Sequence, residues 1–259
     1  MKTPILKAAL SAILLAVTGT CAAQTQTQTQ TTAPEIKLDT GLVYARGSYG
    51  LPTNTDIFIA LVNPTYETDD WRLQASFPYV WLSGPASVVG NAGTAPVSRT
   101  EQGIGDASLS VTRKFSPGSS GWNPSIGAKV KFPTADENKG LGTGKTDTSF
   151  EADVSKKFGD LTPYATLGYQ FLGRSDKYPM KDGFYGTLGF VTLVSDGTVM
   201  GLAGNWRQPT ISGGTSGAEA MAFVQTKLTA TSHLQFFLLH GFTDASPDLA
   251  VGITLGLKL

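Results

Sequence analysis

The part of this chain that follows its N-terminal segment contains no cysteine. Cys21 is the single cysteine among 259 residues, and it lies in a segment with the features of an export signal. Lys2 and Lys7 flank an apolar stretch that ends in the small residues Thr20-Cys21-Ala22-Ala23. Residues 1–23 are therefore predicted to be a signal peptide. The exported chain can then form neither an internal disulfide nor a thiolate metal site.

The sequence also lacks long apolar runs and an excess of charge of either sign. No segment after the signal has the roughly 20 consecutive apolar residues that a membrane-spanning helix requires. Charged residues make up 15% of the chain, with 20 basic and 20 acidic side chains. Loss of Lys2 and Lys7 with the signal leaves 18 basic residues against 20 acidic ones. This balance argues against nucleic acid as a partner.

Residues 24–35 begin with alternating glutamine and threonine up to Thr32, followed by Ala33-Pro34. A low-complexity polar run has no apolar surface to bury, so this segment is predicted to be a disordered leader. The alternative is a plug that enters the folded domain. The short length and uniform polarity of the segment disfavour that alternative.

What the chain does contain is glycine, aromatic residues and short segments of alternating polarity. There are 30 Gly, 13 Phe, 8 Tyr and 4 Trp. Apolar alternation bounded by turn residues predicts twelve strands. They are Ile36–Gly47, Thr55–Pro64, Trp71–Trp81, Gly105–Phe115, Pro124–Phe132, Thr146–Phe158, Thr162–Phe171, Phe184–Leu193, Thr198–Arg207, Glu219–Thr229, His233–Phe242 and Asp248–Lys258.

The predicted connections alternate in length. Asp160-Leu161 and Ser195-Asp196-Gly197 are tight, whereas Leu82–Ile104, Pro133–Lys145 and Gln208–Ala218 are long. Short periplasmic turns and long outer loops are typical of outer membrane barrels, whose strands of about 9–11 residues cross the bilayer at a tilt. The predicted fold is an all-β, transmembrane, antiparallel up-and-down β-barrel of about twelve strands over residues 36–259, in a bacterial outer membrane. A soluble β-sandwich is not expected to show this alternation of short and long connections.

Within one predicted hairpin, period-two alternation separates a lipid face from a lumen face. Ile126 and Phe150 fall on the apolar faces of the two strands. The opposite faces carry Lys129 and Lys131 on the first strand and Glu151 and Asp153 on the second. The pattern predicts that these opposite charges approach one another across the hairpin and help to set its register.

The last strand and the aromatic residues give further membrane signals. In the last strand, small or polar residues alternate with apolar ones at Val251, Ile253, Leu255, Leu257 and Leu259. This pattern resembles the C-terminal signal that the barrel-assembly machinery recognises. Such signals usually end in an aromatic residue, whereas this chain ends in Leu259. Aromatic rings near strand ends are predicted to contact outer membrane lipids at the interfaces. They are Tyr44, Trp71, Tyr79, Trp81, Tyr169, Trp206 and Phe242. The alternative is that these rings serve only for packing between strands.

Several short pieces between Gly103 and Tyr169 are shared with a known family. They are Gly103-Ile104-Gly105-Asp106, Lys131-Phe132-Pro133-Thr134, Gly140-Leu141-Gly142-Thr143-Gly144 followed by Thr146-Asp147, Lys157-Phe158-Gly159, and Gly168-Tyr169. In their order and strand placement they resemble the family named for the MetA pathway of phenol degradation, a group of outer membrane transporter-like barrels. The resemblance implies passage of small organic, including aromatic, compounds. Ala135-Asp136 departs from the Gly-Asp that this family's pattern leads us to expect.

Motifs of enzymes and cofactor sites are incomplete, so no catalytic residue, metal or cofactor is predicted. Gly144-Lys145-Thr146 imitates the end of a nucleotide-binding loop, but Lys139 stands where the motif needs glycine. Asp136, Asn138 and Gly140 imitate the start of a calcium loop that lacks its final glutamate. His233 and His240, the two histidines, fall at opposite ends of their strand and form no nucleophilic dyad. The protein is expected not to be an enzyme, with a lipid-modifying enzyme as the remote alternative.

Polar residues on inward faces are the candidate functional positions. They are Arg72, Gln74, Asp106, Lys129, Lys131, Glu151, Asp153, Asn205, Arg207, Gln225 and Lys227. They would line a restricted pore or form a salt-bridged network that fills the barrel. The predicted function is passive passage of small organic solutes through a monomeric barrel. The alternative is a structural or surface-interaction barrel with a closed lumen.

Overall fold

The computed structural model describes residues 33–86, 99–115, 121–175 and 179–259. The predicted signal peptide and most of the predicted leader lie outside these residues. The strands are β1 (Glu35–Gly47), β2 (Thr55–Glu67), β3 (Trp71–Gly84), β4 (Arg99–Ile104), β5 (Ser108–Lys114), β6 (Trp122–Lys131), β7 (Asp147–Lys156), β8 (Leu161–Phe171), β9 (Gly183–Ser195), β10 (Thr198–Arg207), β11 (Gly217–Lys227), β12 (Ser232–Gly241) and β13 (Leu249–Lys258). The described residues contain no helix that is long and apolar enough to cross a membrane.

The strands close into an antiparallel barrel with twelve wall positions. β1 pairs with β13 on one side and with β2 on the other, which joins the two ends of the sheet. β4 and β5 share one position, because β4 pairs with the outer half of β3 and β5 pairs with its beginning. Gly105, Asp106 and Ala107 interrupt the strand between these two pieces. The predicted barrel of about twelve strands is therefore confirmed.

The faces of the wall follow the alternation in the sequence. In β2 and β3, side chains with little exposure alternate with exposed apolar side chains such as Phe58 and Phe77. The same pattern places Ile126 and Phe150 outside and Lys129 and Glu151 inside. Exposed apolar residues on the outer face suit a wall that is solvated by lipid, because burial in lipid removes them from water.

The connections also follow the predicted alternation, with one correction. The predicted long loop from Leu82 to Ile104 is shorter than expected, because β3 continues to Gly84 and the chain re-enters the sheet at Arg99. Backbone pairing of Gly84 with Arg99 extends this hairpin beyond Trp81, where the predicted strand ends. Residues 87–98, on which a partial cover of the mouth was predicted, lie outside the described residues.

The register of β6 and β7 differs from the predicted one. Lys129 lies opposite Ser149 and Lys131 lies opposite Asp147, whereas Glu151 faces Gly127. Lys129 and Glu151 still interact electrostatically, as predicted, although they are not directly opposite each other. The prediction is wrong for Lys131, which pairs with Asp106 and Asp147. The hairpin closes at Lys131 and Asp147. The loop between these two residues therefore sets the register of the hairpin, and the predicted pairing of opposite charges does not.

Candidate functional site: the barrel lumen

A polar cavity of about 170 Å³ lies inside the barrel. It extends from Lys114 and Asn123, near the short-turn ends of their strands, to Arg207 and Glu219, near the long-loop ends. Between these limits the wall presents Ser110, Thr112, Ser125, Lys129, Glu151, Asp153, Tyr164, Thr166, Tyr185, Thr187 and Asn205. These hydroxyl, amide and charged groups alternate with lipid-facing residues, so a single sheet separates a polar lumen from an apolar exterior.

Lys129 and Lys157 line the cavity and have no carboxylate within 4.0 Å among the described residues. Arg207 lies 2.8 Å from Glu219, and Lys131 lies 2.8 Å from Asp106. Lys131 also lies 2.7 Å from Asp147, which neutralises it further. Lys129 therefore faces the cavity without an ion pair, with Glu151 as the nearby carboxylate that acts on it electrostatically.

The two carboxylates nearest the middle of the cavity are held by neutral hydroxyl groups. Tyr185 Oη donates to Glu151 Oε2 at 2.9 Å. Ser125 Oγ donates to Asp153 Oδ2 at 3.1 Å, and Thr166 Oγ1 donates to the other oxygen of this carboxylate at 2.5 Å. Donation from hydroxyls orients both carboxylates without cancelling their charge, so the lumen keeps fixed charges of both signs.

Glycines keep bulky side chains flat against the wall. Tyr185 lies opposite Gly168, and a Cβ at Gly168 would lie 2.2 Å from the Cζ of Tyr185. Tyr164 lies opposite Gly189 in the same way, with a corresponding distance of 2.8 Å. Because the rings occupy the space of absent side chains, they do not project across the lumen, and the cavity stays open.

The inner surface formed by β11, β12 and β1 carries apolar side chains among polar ones such as Gln235 and Asp39. Inward side chains of β11, β12 and β1 include Phe223, Phe237, Leu239 and Val43, all at most 6% exposed. Phe237 lies over Gly252, where a Cβ would approach its ring to 2.1 Å. These four buried apolar side chains lie outside the lining of the cavity.

A cluster of charges lies at the short-turn end of the lumen. Glu67 lies 2.9 Å from each of Lys37, Arg72 and Lys114. Lys114 also donates to the Thr68 carbonyl at 2.6 Å. Arg72 and Lys114 line the cavity, so Glu67 sets the position of two cations that a solute meets at this end.

The long-loop end of the lumen is filled by apolar side chains. Inward residues such as Ile57 and Leu82 pack there with residues from the loops, including Leu141, Met180 and Ile211. Met180 and Ile211 are joined by a β-bridge between two different loops. These loops fold into the mouth, and the resulting apolar cluster narrows the outer end of the lumen.

Tyr49 belongs to this cluster and adopts a backbone conformation that is rare for a residue with a side chain. Its φ is 51°, in the left-handed region, and it is 1% exposed. Burial raises the pKa of the Tyr49 phenol above its ordinary value, so the hydroxyl stays protonated at neutral pH. The buried ring compensates the strain of this turn between β1 and β2.

An ion pair fastens one outer loop to the wall. The side chains of Arg207 and Glu219 are only 4% and 2% exposed. Arg207 also donates to the carbonyl of Ala245, and the hydroxyl of Ser246 donates to Glu219. The loop between β12 and β13 is thus tied to β10 and β11 by a buried polar network.

The two histidines lie far apart. His240 is exposed, and its Nδ1 lies 2.8 Å from the carbonyl oxygen of Asp248. His233 lies 3.6 Å from Asp39, at the short-turn end of the lumen. Neither histidine has a serine or threonine hydroxyl as its partner within the described residues.

The structure places the sequence-predicted lumen residues in four different locations. Arg72, Gln74, Lys129, Glu151, Asp153, Asn205 and Arg207 line the cavity. Lys131 and Asp106 pair with each other beside β6, while Gln225 faces Gln235 on the opposite wall. Lys227 is exposed at the end of β11, beside a turn. The functional role of these residues stays a prediction.

Sequence reasoning missed several residues that shape the lumen. Glu67, Tyr164, Tyr185 and Glu219 were not proposed, although Glu67 is held by three cations and both tyrosines line the cavity. The sequence does contain a signal for an inward Tyr185, because its ring, like that of Tyr164, needs a glycine on the neighbouring strand. That signal cannot be used without the register that aligns Tyr185 with Gly168.

A closed antiparallel barrel with an apolar exterior and a polar lumen defines an outer membrane β-barrel protein. Over residues 23–259 the chain matches the family described as "Putative MetA-pathway of phenol degradation", and it belongs to that family. No curated protein sequence matches the chain.

Solved structures share the fold at low sequence identity. An outer membrane channel from Pseudomonas putida F1 is similar with a TM-score of 0.68 and 13% identity, over 91% of this chain and 100% of that one. The translocator domain of the autotransporter NalP from Neisseria meningitidis has a TM-score of 0.56 and 11% identity, over 96% and 97%. The KdgM porin, solved in complex with oligogalacturonate, has a TM-score of 0.54 and 9% identity, over 86% and 99%.

Proposed function

We propose that this protein is an outer membrane channel for the passive passage of small organic solutes. The observation that carries the proposal is the cavity inside a closed barrel, on whose wall Lys129 has no ion-pair partner among the described residues. If side chains filled the lumen only to stabilise the barrel, Lys129 would be expected to form an ion pair, as Lys131 and Arg207 do. An unpaired cation beside a cavity instead provides a contact for a passing solute.

The lumen suits solutes that carry both polar and apolar groups. The cavity offers the charged groups of Lys129 and Asp153. It also offers the rings of Tyr164 and Tyr185. A small aromatic compound with a polar substituent can contact both kinds of group at once. Contacts with apolar side chains reduce the cost of removing such a solute from water.

Passage requires the outer mouth to widen. Ile211 and Met180 are 1% and 8% exposed in the apolar cluster that narrows this end. Both lie in loops, which move more readily than the paired strands. Solutes would therefore enter when the loops separate and would then meet the polar wall below them.

Single-channel recording in planar bilayers tests this proposal. The mature protein should produce discrete openings, and Lys129→Glu should shift ion selectivity toward cations by about threefold, because it reverses a charge on the lumen wall. Lys181→Glu is the matched control, since Lys181 is an exposed loop residue, and it should leave selectivity unchanged. Openings with the same selectivity in all three proteins would place the ion path elsewhere.

The apolar cluster at the outer mouth favours a second candidate, a structural or surface-interaction barrel with a closed lumen. A correctly folded barrel that conducts no ions, and that does not release small aromatic solutes from liposomes, would support this candidate. Replacing the loop between β10 and β11 by a short Gly-Ser linker separates the two functions further. Loss of cell adhesion with unchanged permeability would favour a surface role, whereas increased permeability would favour the channel.

A further inference from the structure

Two cations lie on the lipid-facing side of the barrel, each between aromatic rings. The guanidinium of Arg113 is 5.0 Å from the centre of the Trp71 ring and 6.0 Å from that of Phe115. The ammonium of Lys156 is 5.0 Å from the centre of the Trp122 ring and 5.4 Å from that of Phe158. All four aromatic side chains are between 43% and 55% exposed, so this surface faces the surrounding membrane.

Both cations lie at the same rim of the barrel. Arg113 is next to last in β5 and Lys156 is last in β7, while Trp122 begins β6 between them. These strand ends adjoin short connections and lie on the side of the two chain termini, which is the periplasmic side in outer membrane barrels. The group formed by Arg113, Lys156, Trp71, Phe115, Trp122 and Phe158 is called the basic aromatic sector below.

The basic aromatic sector occupies one side of the barrel only. At the same rim, the outward positions of the other described strands carry apolar or uncharged residues, such as Ile36 in β1, Tyr66 in β2, Leu161 in β8 and Leu257 in β13. Aromatic rings alone serve as interfacial anchors around a barrel. Cations restricted to one sector indicate recognition of a negative group at that place.

We propose that the basic aromatic sector binds the headgroup phosphate of an anionic phospholipid in the periplasmic leaflet. Trp and Phe rings insert at headgroup level and hold the cations at the depth of lipid phosphates. Lys156 has no carboxylate within 4.0 Å among the described residues, so its charge is available to a phosphate. Asp70 lies 2.8 Å from Arg113 and orients the guanidinium against the Trp71 ring.

Lipid retention in native mass spectrometry tests the proposal. The purified mature protein is mixed in detergent with phosphatidylglycerol or with phosphatidylcholine of the same acyl chains, and bound lipids are counted after the micelle is removed. Phosphatidylglycerol should be retained preferentially. The double variant Arg113→Gln/Lys156→Gln should lose this preference, with about a fivefold fall in retention, because each basic residue near a membrane surface contributes to binding anionic lipid.

The control variant is Arg46→Gln/Lys181→Gln, which removes two cations at the opposite end of the barrel. It should retain phosphatidylglycerol as the parent protein does. A heat-dependent change in electrophoretic mobility shows that each variant is a folded barrel. Equal retention of both lipids by the parent, or unchanged retention in a folded Arg113→Gln/Lys156→Gln barrel, would overturn the proposal. Channel activity is not involved in either readout.

Discussion

The phenol of Tyr185 reaches across an entire strand to donate to the carboxylate of Glu151, at 2.9 Å. The two residues lie on β9 and β7, with β8 between them. The reach is possible because the residue of β8 that lies between them is Gly168. The absent side chain of Gly168 thus lets one hydrogen bond join three strands while the ring stays against the wall.

Adding a methyl group at Gly168 should move the Tyr185 ring into the lumen. In Gly168→Ala the new Cβ would lie 2.2 Å from the Cζ of Tyr185, too close for both atoms to remain in place. We expect single-channel conductance to fall and the free energy of unfolding to decrease by about 1–3 kcal/mol, as in other overpacked sites. Conductance in planar bilayers and unfolding in urea measure the two effects.

Gly204→Ala provides the control for this prediction. The atom nearest to a Cβ at Gly204 is 3.9 Å away, and Gly204 is exposed on the outer face of β10. This variant should keep the parental conductance. If Gly168→Ala conducts as the parent does, the Tyr185 ring does not limit the lumen.

Removing the charge of Glu219 should destabilise the barrel strongly. In Glu219→Gln, Arg207 would remain buried without its carboxylate partner. Such losses cost about 3–5 kcal/mol in buried pairs. The double variant Arg207→Met/Glu219→Leu removes both charges and should cost less. Urea unfolding compares the two, and a single variant as stable as the double variant would show that the pair is not coupled.

Removing the charge of Glu67 should make the channel more selective for anions. Glu67→Gln leaves Lys37, Arg72 and Lys114 at the short-turn end of the lumen without their common carboxylate. We expect the anion-to-cation permeability ratio to rise by about twofold, since charged rings set selectivity in narrow pores. Reversal potentials in a salt gradient measure this ratio. Asp160→Asn, in an exposed turn at the same end, should leave the ratio unchanged.

Truncating Ile211 should open the outer mouth. Ile211 is 1% exposed, and Ile211→Ala removes apolar volume from the cluster that narrows this end. We expect larger conductance, together with a loss of stability of about 2 kcal/mol or more. Leu188→Ala is the comparison, because Leu188 is 71% exposed on the lipid face. Unchanged conductance in a folded Ile211→Ala barrel would place the narrowest point below the mouth.

Much of the wall could be predicted because alternation alone separates its two faces. Ile126 and Phe150 lie outside and Lys129 and Glu151 lie inside, as their positions in the pattern predict. The partners of the inward charges could not be predicted, since a shift of two residues preserves every face. Lys131 pairs with Asp106 and Asp147 rather than with Glu151, because the hairpin closes at Lys131 and Asp147.

The apolar outer mouth was also beyond prediction from the sequence. Ile211 and Met180 lie in loops, where no periodicity indicates which side chains turn inward. They meet only because two loops that are distant in sequence bend over the same opening. The predicted lumen therefore contained polar residues alone, whereas the structure adds a buried apolar cluster at its outer end.

By itself, the sequence determined the fold class, the strand number and the face of most wall residues, because these depend on local alternation and on the length of each strand. The tertiary structure decided which cation stays unpaired, which rings lie over glycines and how the mouth closes. Those features depend on register and barrel closure, which bring residues from several strands to one place. Lys129 is a lumen candidate from its strand alone, but only the register of the closed barrel leaves it without an ion pair among the described residues, with Glu151 acting on it from a greater distance.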